Sequence, residues 1–195
     1  MRAIVFRPAE DSFSFEVTAV AILPIVQYPD PRLSTKAEPV TVFDDALKQL
    51  AADMAETMYD APGVGLAANQ IGQLIRLVVI DISEEKNALR VLVNPQIISR
   101  SEEVKECEEG CLSLPGIYEK VKRPSLVTVR AQDLEGREFT LECDELLSVC
   151  VQHEIDHLDG KVFIDHLSAL KKARSAAKLA KKRKEEARAR KNKEA

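Results

Sequence analysis

The chain has 195 residues and no tryptophan, and aromatic residues make up only 5% of it, so aliphatic side chains must fill whatever core it builds. No stretch approaches the ~18 consecutive apolar residues that a membrane-crossing helix needs. The opening segment, MRAIVFRPAEDSFSFEV, carries Glu10, Asp11 and Glu16 where a secretory signal would be apolar, so a signal peptide is not expected. Cysteine is limited to Cys107, Cys111, Cys143 and Cys150, and none of these forms a C-x-x-C pair. Together these absences predict a cytoplasmic protein with reduced thiols and no structural disulfides, for which neither a membrane nor DNA is an expected partner.

What is present suits one domain with a sizeable core: 45% hydrophobic and 31% charged residues. The formal net charge of −4 is unevenly spread, because Lys171–Ala195 holds 12 of the 28 basic residues and only 3 of the 32 acids. An acidic body with a basic tail is a polarised molecule. Three parts are expected: an N-terminal extension at 1–20, a catalytic body at 21–170, and a basic C-terminal helix or tail at 171–195.

Local patterns outline the elements. Pro24, Pro29 and Pro31 in ILPIVQYPDPRL enforce extended and turn geometry. Leu47, Leu50, Ala51, Met54, Ala55 and Met58 recur at helical spacing behind a capping Asp44, and Pro62-Gly63 ends that helix. GVGLAANQIGQ reads as a glycine-punctuated loop. LIRLVVIDI and RVLVNPQII read as strands, and LVTVRAQDLEGREFTLEC as a hairpin turning near Leu134-Glu135-Gly136. A second helix is predicted from about Asp144 to Leu158, stopping at Gly160, and Ser168 is placed to cap a third, solvated one. Central strands with helices around them, without βαβ alternation, predict an α+β fold.

Of the chain's three histidines, two stand at His153 and His157 around Glu154, in an H-E-x-x-H pattern. Four residues apart on a helix, both imidazoles project from one face and can share an ion. Glu154 can point beside that ion, where a base is needed. The pattern supplies two protein ligands, and the third is the open question. Metzincins continue with a third histidine, but position 163 is Phe163, and His166 comes three residues too late. Other zinc proteases use a downstream glutamate; here the candidates, Glu185 and Glu186, lie in the basic tail. A thiolate is the remaining good donor. Cys111 stands beside Gly110 in EEGCLSLPG, where core packing would be the alternative use.

Three stretches together resemble the peptide deformylases: GVGLAANQ at 63–70, EGCLS at 109–113 and HEIDH at 153–157. YPDPRL and HLDGKVFID are similar to family text too, and the resemblance spans roughly residues 21 to 170. It implies a compact α+β deformylase-like fold, with the H-E-x-x-H helix packed against antiparallel or mixed sheets and a C-terminal helix. It implies that Cys111, His153 and His157 hold one divalent metal, leaving one position for water. Fe²⁺ is the usual ion, with Zn²⁺, Ni²⁺ or Co²⁺ as substitutes. The implied reaction removes the formyl group from the N-terminal formyl-methionine of new polypeptides, and Glu154 serves as general base and then acid.

The resemblance further assigns the Gln70 side-chain amide and the Leu112 backbone N–H as donors to the developing oxyanion. It suggests that Glu109 pairs with Arg123 beneath the site. Gly63 and Gly65 would leave room for an extended substrate, with Gly110 close by. Leu146, Val149 and Cys150 precede His153 by seven, four and three residues, so they share its helix face and would line a methionine pocket beside Val64. For the basic tail at 171–195 a solvated helix is the default expectation, with docking on ribosomal RNA phosphates as the alternative. Two rival readings are a zinc endopeptidase and a non-enzymatic RNA-binding module with a structural metal. The latter would need a fourth protein ligand, for which Cys107 is the spare thiol near Cys111.

Overall fold

The computed structural model describes residues 20–193, so the extension expected at 1–20 lies, but for its last residue, outside the described residues. Helix α1 spans Asp45–Asp60, and the Asp44 side chain accepts a hydrogen bond from the Leu47 N–H at 3.0 Å, as its capping role predicts. Strands β1 (Gly65–Ala67), β2 (Leu77–Ile80) and β3 (Arg90–Arg100) follow. Next come β4 (Val104–Gly110), β5 (Tyr118–Pro124), β6 (Val127–Gln132) and β7 (Glu138–Cys143). Helix α2 is Glu145–Leu158 and helix α3 is Ala169–Lys193. The main sheet has the order β1-β2-β3-β6-β7, and β4-β5 forms a separate two-stranded sheet. All strand pairs are antiparallel.

The main sheet is covered on both faces, and β2 shows why. Its side chains alternate: Val78 and Ile80 join Val151, Ile155 and Leu158 of α2 in one cluster, while Leu77 and Val79 join Leu47, Met54 and Met58 of α1 in another. A strand buried on both faces must be apolar at every position, and Leu77–Ile80 is. The layering is therefore helix, sheet, helix, with α2 running across the inner face.

Local differences from the sequence expectations have physical causes. The segment read as a loop contains β1, paired as Gly65↔Ile80 and Ala67↔Val78, and a 3₁₀ turn at Ala68–Ile71. Glycine and alanine are poor strand formers, so pairing with β2 overrides propensity there. In β3 the Asn94-Pro95 pair breaks the register. Asn94 takes a positive φ of 54°, and its side-chain amide donates to Val40 O and Gln132 Oε1, both at 2.8 Å. The sheet of β4 and β5 was not expected at all. Its inner face carries Glu109 and Arg123, so the apolar alternation that marks a half-buried strand is missing.

Helix α3 is seated on the body along its first half, where a solvated helix was expected. Leu179 is buried among Leu114, Ile117 and Phe163, and Ser175 donates to Glu119 at 3.2 Å. Among the described residues, no helix is long and apolar enough to cross a membrane.

Candidate metal centre

Two elements assemble the site. Helix α2 presents His153 and His157 from one face, with ring centroids 5.0 Å apart. The connection after β4 brings in Cys111, whose Sγ lies 3.2 Å from His157 Nε2. Among the described residues these three are the group able to hold a metal, with ligand atoms all within 4.8 Å of one another. Cys107 sits on β4, outside that group, so the fourth protein ligand of a closed structural site is missing among them.

Two of the three donors, Cys111 and His153, are prepared by their neighbours. Burial opposes ionisation of the Cys111 thiol, but the neighbouring imidazoles of His157 and His153 outweigh it and bring the thiol down to about 5. His153 Nδ1 meets Glu109 Oε2 at 2.8 Å, which leaves its Nε2 for the centre. Burial alone would push Glu109 up; the hydrogen bonds with His153 and Arg123 hold it below the usual carboxylate range. The Arg123–Glu109 pair is bidentate, at 2.5 and 2.9 Å, and buried, so its role is orientation more than stability. Arg123 also donates from Nη1 to Asp156 at 2.7 Å. Burial would raise Asp156 as well, but His166 and Arg123 hold it at about 2.

Glu154 is buried beside this group, and its Oε2 has no hydrogen-bond partner. Burial is the main cause that raises its pKa above the ordinary carboxylate value. A buried carboxylate with one unpartnered oxygen, lining the cleft next to a thiol and two imidazoles, is placed to accept a proton. The Gln70 side chain is fixed at both ends: its Oε1 accepts from the Ala67 N–H at 2.8 Å, and its Nε2 donates to Ser113 Oγ at 3.3 Å and Cys111 Sγ at 3.5 Å.

A cleft of about 470 Å³ opens over these groups, within the range usual for ligand sites. Gly63, Val64, Gly65 and Gln70 form one wall, and Glu109, Gly110, Cys111 and Leu112 another. Leu146, Val149, Cys150, His153 and Glu154 contribute from α2. Of the three expected metal ligands, His157 is not on that lining, because it lies fully buried behind it; Arg123 lies beneath it as well. Val64 and Leu146 are 45% and 51% exposed, which leaves apolar surface at the cleft mouth.

The family model for polypeptide deformylase matches residues 22–173. The chain belongs to the polypeptide deformylase family. It is 56% identical over 169 residues to peptide deformylase 1 of Ralstonia nicotianae, covering 87% of this chain and all of that one. It is 53% identical over 165 residues to the Cellvibrio japonicus peptide deformylase, covering 85% and 98%. The crystal structure of a Legionella pneumophila peptide deformylase superposes with a TM-score of 0.82 at 50% identity, covering 86% of this chain and 99% of that one. An Ehrlichia chaffeensis deformylase crystallised with actinonin superposes at 0.79 with 38% identity, covering 84% and 98%. The fold and the enzyme class expected from the motifs are therefore those of a deformylase, a hydrolase that removes formyl groups.

Within this deformylase, several residues around the site were given no role by the sequence reading. Phe163, which occupies the place of a metzincin's third histidine, stacks on His153 instead, with centroids 5.9 Å apart and planes at 24°. Asp156 and Ser113 were overlooked because their partners, Arg123 and Gln70, are 33 and 43 residues away. Gly65 has a role more specific than substrate clearance. A Cβ there would overlap the Glu154 carboxylate and come within 2.9 Å of Cys150 Sγ. Gly65→Ala is thus expected to displace Glu154, lowering turnover at least tenfold and stability by about 1–3 kcal/mol. Formate release and thermal melting check both.

Proposed function

We propose that this chain removes the formyl group from the N-terminal formyl-methionine of newly synthesised polypeptides, releasing formate. The observation that carries the reading is the Glu154 carboxylate, its Oε2 unpartnered, buried against a cluster of one thiol and two imidazoles. Cys111, His153 and His157 would hold one divalent metal. Fe²⁺ is the proposed native ion, and Zn²⁺, Ni²⁺ or Co²⁺ would be substitutes. The fit rests on the donors: a soft sulfur and two Nε2 atoms suit such ions, and three protein ligands leave the site open. When bound, a divalent cation lowers the pKa of water and polarises a carbonyl.

The chain's own residues do the rest. Glu154 takes the proton of the attacking water and delivers it to the departing amine, which leaves poorly without one. The Gln70 amide and the Leu112 backbone N–H donate to the former carbonyl oxygen as it becomes negative. The amide's orientation is set in advance by Ala67 and Ser113. Gly63, Gly65 and Gly110 line the cleft where an extended peptide would lie, and the lack of a Cβ at each makes room for Leu112, Glu154 and Tyr118 respectively. Val64, Leu146, Val149 and Cys150 receive the methionine side chain. Burial pushes the Cys150 thiol well up, so it stays neutral and apolar in that role.

Residues 21–170 form the catalytic body in this proposal, working in the cytoplasm, and 171–195 a basic appendage. Lys171, Arg174, Lys178 and Lys181 are exposed at helical spacing along α3, a stripe suited to ribosomal RNA phosphates. Three measurements test the reading: formate release from a formyl-Met peptide against its unformylated twin, elemental analysis of anaerobically purified protein, and the lifetime of activity in air against that of Ni²⁺-loaded protein. Expected are formate from the formylated peptide only, about one iron per chain, and faster loss of activity in air than for Ni²⁺-loaded protein. Cleavage of the unformylated peptide would favour the endopeptidase. Equal lifetimes with and without oxygen would remove iron.

A further inference from the structure

We infer that His166 is a positioning residue for the metal centre, acting on ligand His153 through a relay of three charged side chains. The inference rests on the reading of Cys111, His153 and His157 as metal ligands. The relay begins where His166 Nε2 meets Asp156 Oδ2 at 2.7 Å. The same oxygen accepts from Arg123 Nη1 at 2.7 Å. Arg123 then grips both oxygens of Glu109 from Nε and Nη2, and Glu109 Oε2 receives His153 Nδ1 at 2.8 Å. Side-chain exposure rises along this line, from 2% at Glu109 and 5% at Arg123 to 18% at Asp156 and 35% at His166. His166 is therefore where the relay reaches solvent.

The geometry makes that outer end matter. The guanidinium is a rigid plane, and here three of its nitrogens are engaged, two on Glu109 and one on Asp156. Anchored at both ends, the plane cannot swing, and Glu109 is fixed with it. Asp156 is anchored in turn by two donors on one oxygen. Without His166, Arg123 alone would hold a carboxylate that water can reach, and the plane would lose its stable outer support.

The turn that carries His166 strengthens the case. Phe163–His166 is one 3₁₀ turn, and its first residue is the ring stacked on His153. The turn is tied internally by the Asp165 carboxylate accepting from the Val162 N–H at 2.9 Å, and to α3 by an ion pair between Asp165 and Lys172. One short turn thus braces His153 twice, directly with Phe163 and through the relay with His166.

The test uses the full chain with Co²⁺ as probe, measuring its dissociation constant by chelator competition and the visible absorption of the bound ion. Removing a group hydrogen-bonded directly to a ligand typically costs 10–100-fold in metal affinity. For His166→Leu, which acts from further out, about a fivefold weakening and a changed absorption spectrum are expected. His166→Gln keeps an N–H donor and is expected to stay within about twofold of the unmodified chain. Should the leucine variant fail to fold, His166→Ser, whose hydroxyl is too short to reach, carries the same expectation. Lowered thermal stability with unchanged Co²⁺ affinity and spectrum would reduce His166 to a structural role and overturn the inference. An unmodified chain that does not bind Co²⁺ would instead overturn the metal reading, and the inference with it.

Discussion

Glu154→Gln is expected to reduce formate release roughly 10³-fold, within the range for loss of a general acid–base group, while the protein keeps its metal. The amide preserves the side chain's shape beside Gly65 but cannot accept the water's proton. Metal content should hold because Glu154 is outside the group formed by Cys111, His153 and His157. Stability separates this substitution from a disruptive one. Glu154 is buried with an unpartnered oxygen, so replacing it with a neutral amide removes a desolvated ionisable group. The melting temperature should stay level or rise. Glu154→Ala should show the same loss of turnover. Formate release near the unmodified rate in either variant would end the role assigned to Glu154.

The second large effect belongs to Cys111→Ser. Serine matches cysteine in shape, but its hydroxyl stays protonated near neutral pH, whereas the thiol here is held at about 5. The substitution removes the one anionic donor and leaves two imidazoles. If binding at such sites draws on the order of 3 kcal/mol per ligand, metal affinity should fall about 10²–10³-fold, and activity at low metal with it. Metal content after dialysis against a chelator reads this directly. Cys150→Ser supplies the control. Its thiol is directed to Val64 O at 3.6 Å and kept neutral by burial, so that variant should keep its metal. Full metal retention by Cys111→Ser would remove the sulfur from the centre.

Much of this was legible in the chain because the chemistry is concentrated in short windows. His153, Glu154 and His157 are fixed relative to one another by helical geometry alone. The α1 cap at Asp44, the all-apolar β2 and the hairpin of β6 and β7 follow from periodicity and turn residues. Cys111 needed more. Its sequence neighbours admit core packing as readily as ligation, and only the joint occurrence of three motifs pointed to the metal. The layer beneath the metal escaped for another reason. Only the Glu109–Arg123 contact was anticipated, and that from the resemblance. Asp156, His166 and the stacking of Phe163 are tertiary relations between distant positions, and no local period encodes them. The β4-β5 sheet was missed on the same ground, because its inner face is salt-bridged where strand patterns expect apolar side chains.

Helix α2 has a consequence for how this enzyme can change over time. Ten of its 14 residues are buried, and they include both histidines and the carboxylate as well as much of the packing against the main sheet. A mutation in this segment therefore perturbs folding and chemistry together, and natural variation should be confined largely to outward positions away from the cleft, such as Glu145. Resistance to an inhibitor lodged in the cleft would arise more readily at the exposed mouth, at Val64 or Leu146, than at the inner floor.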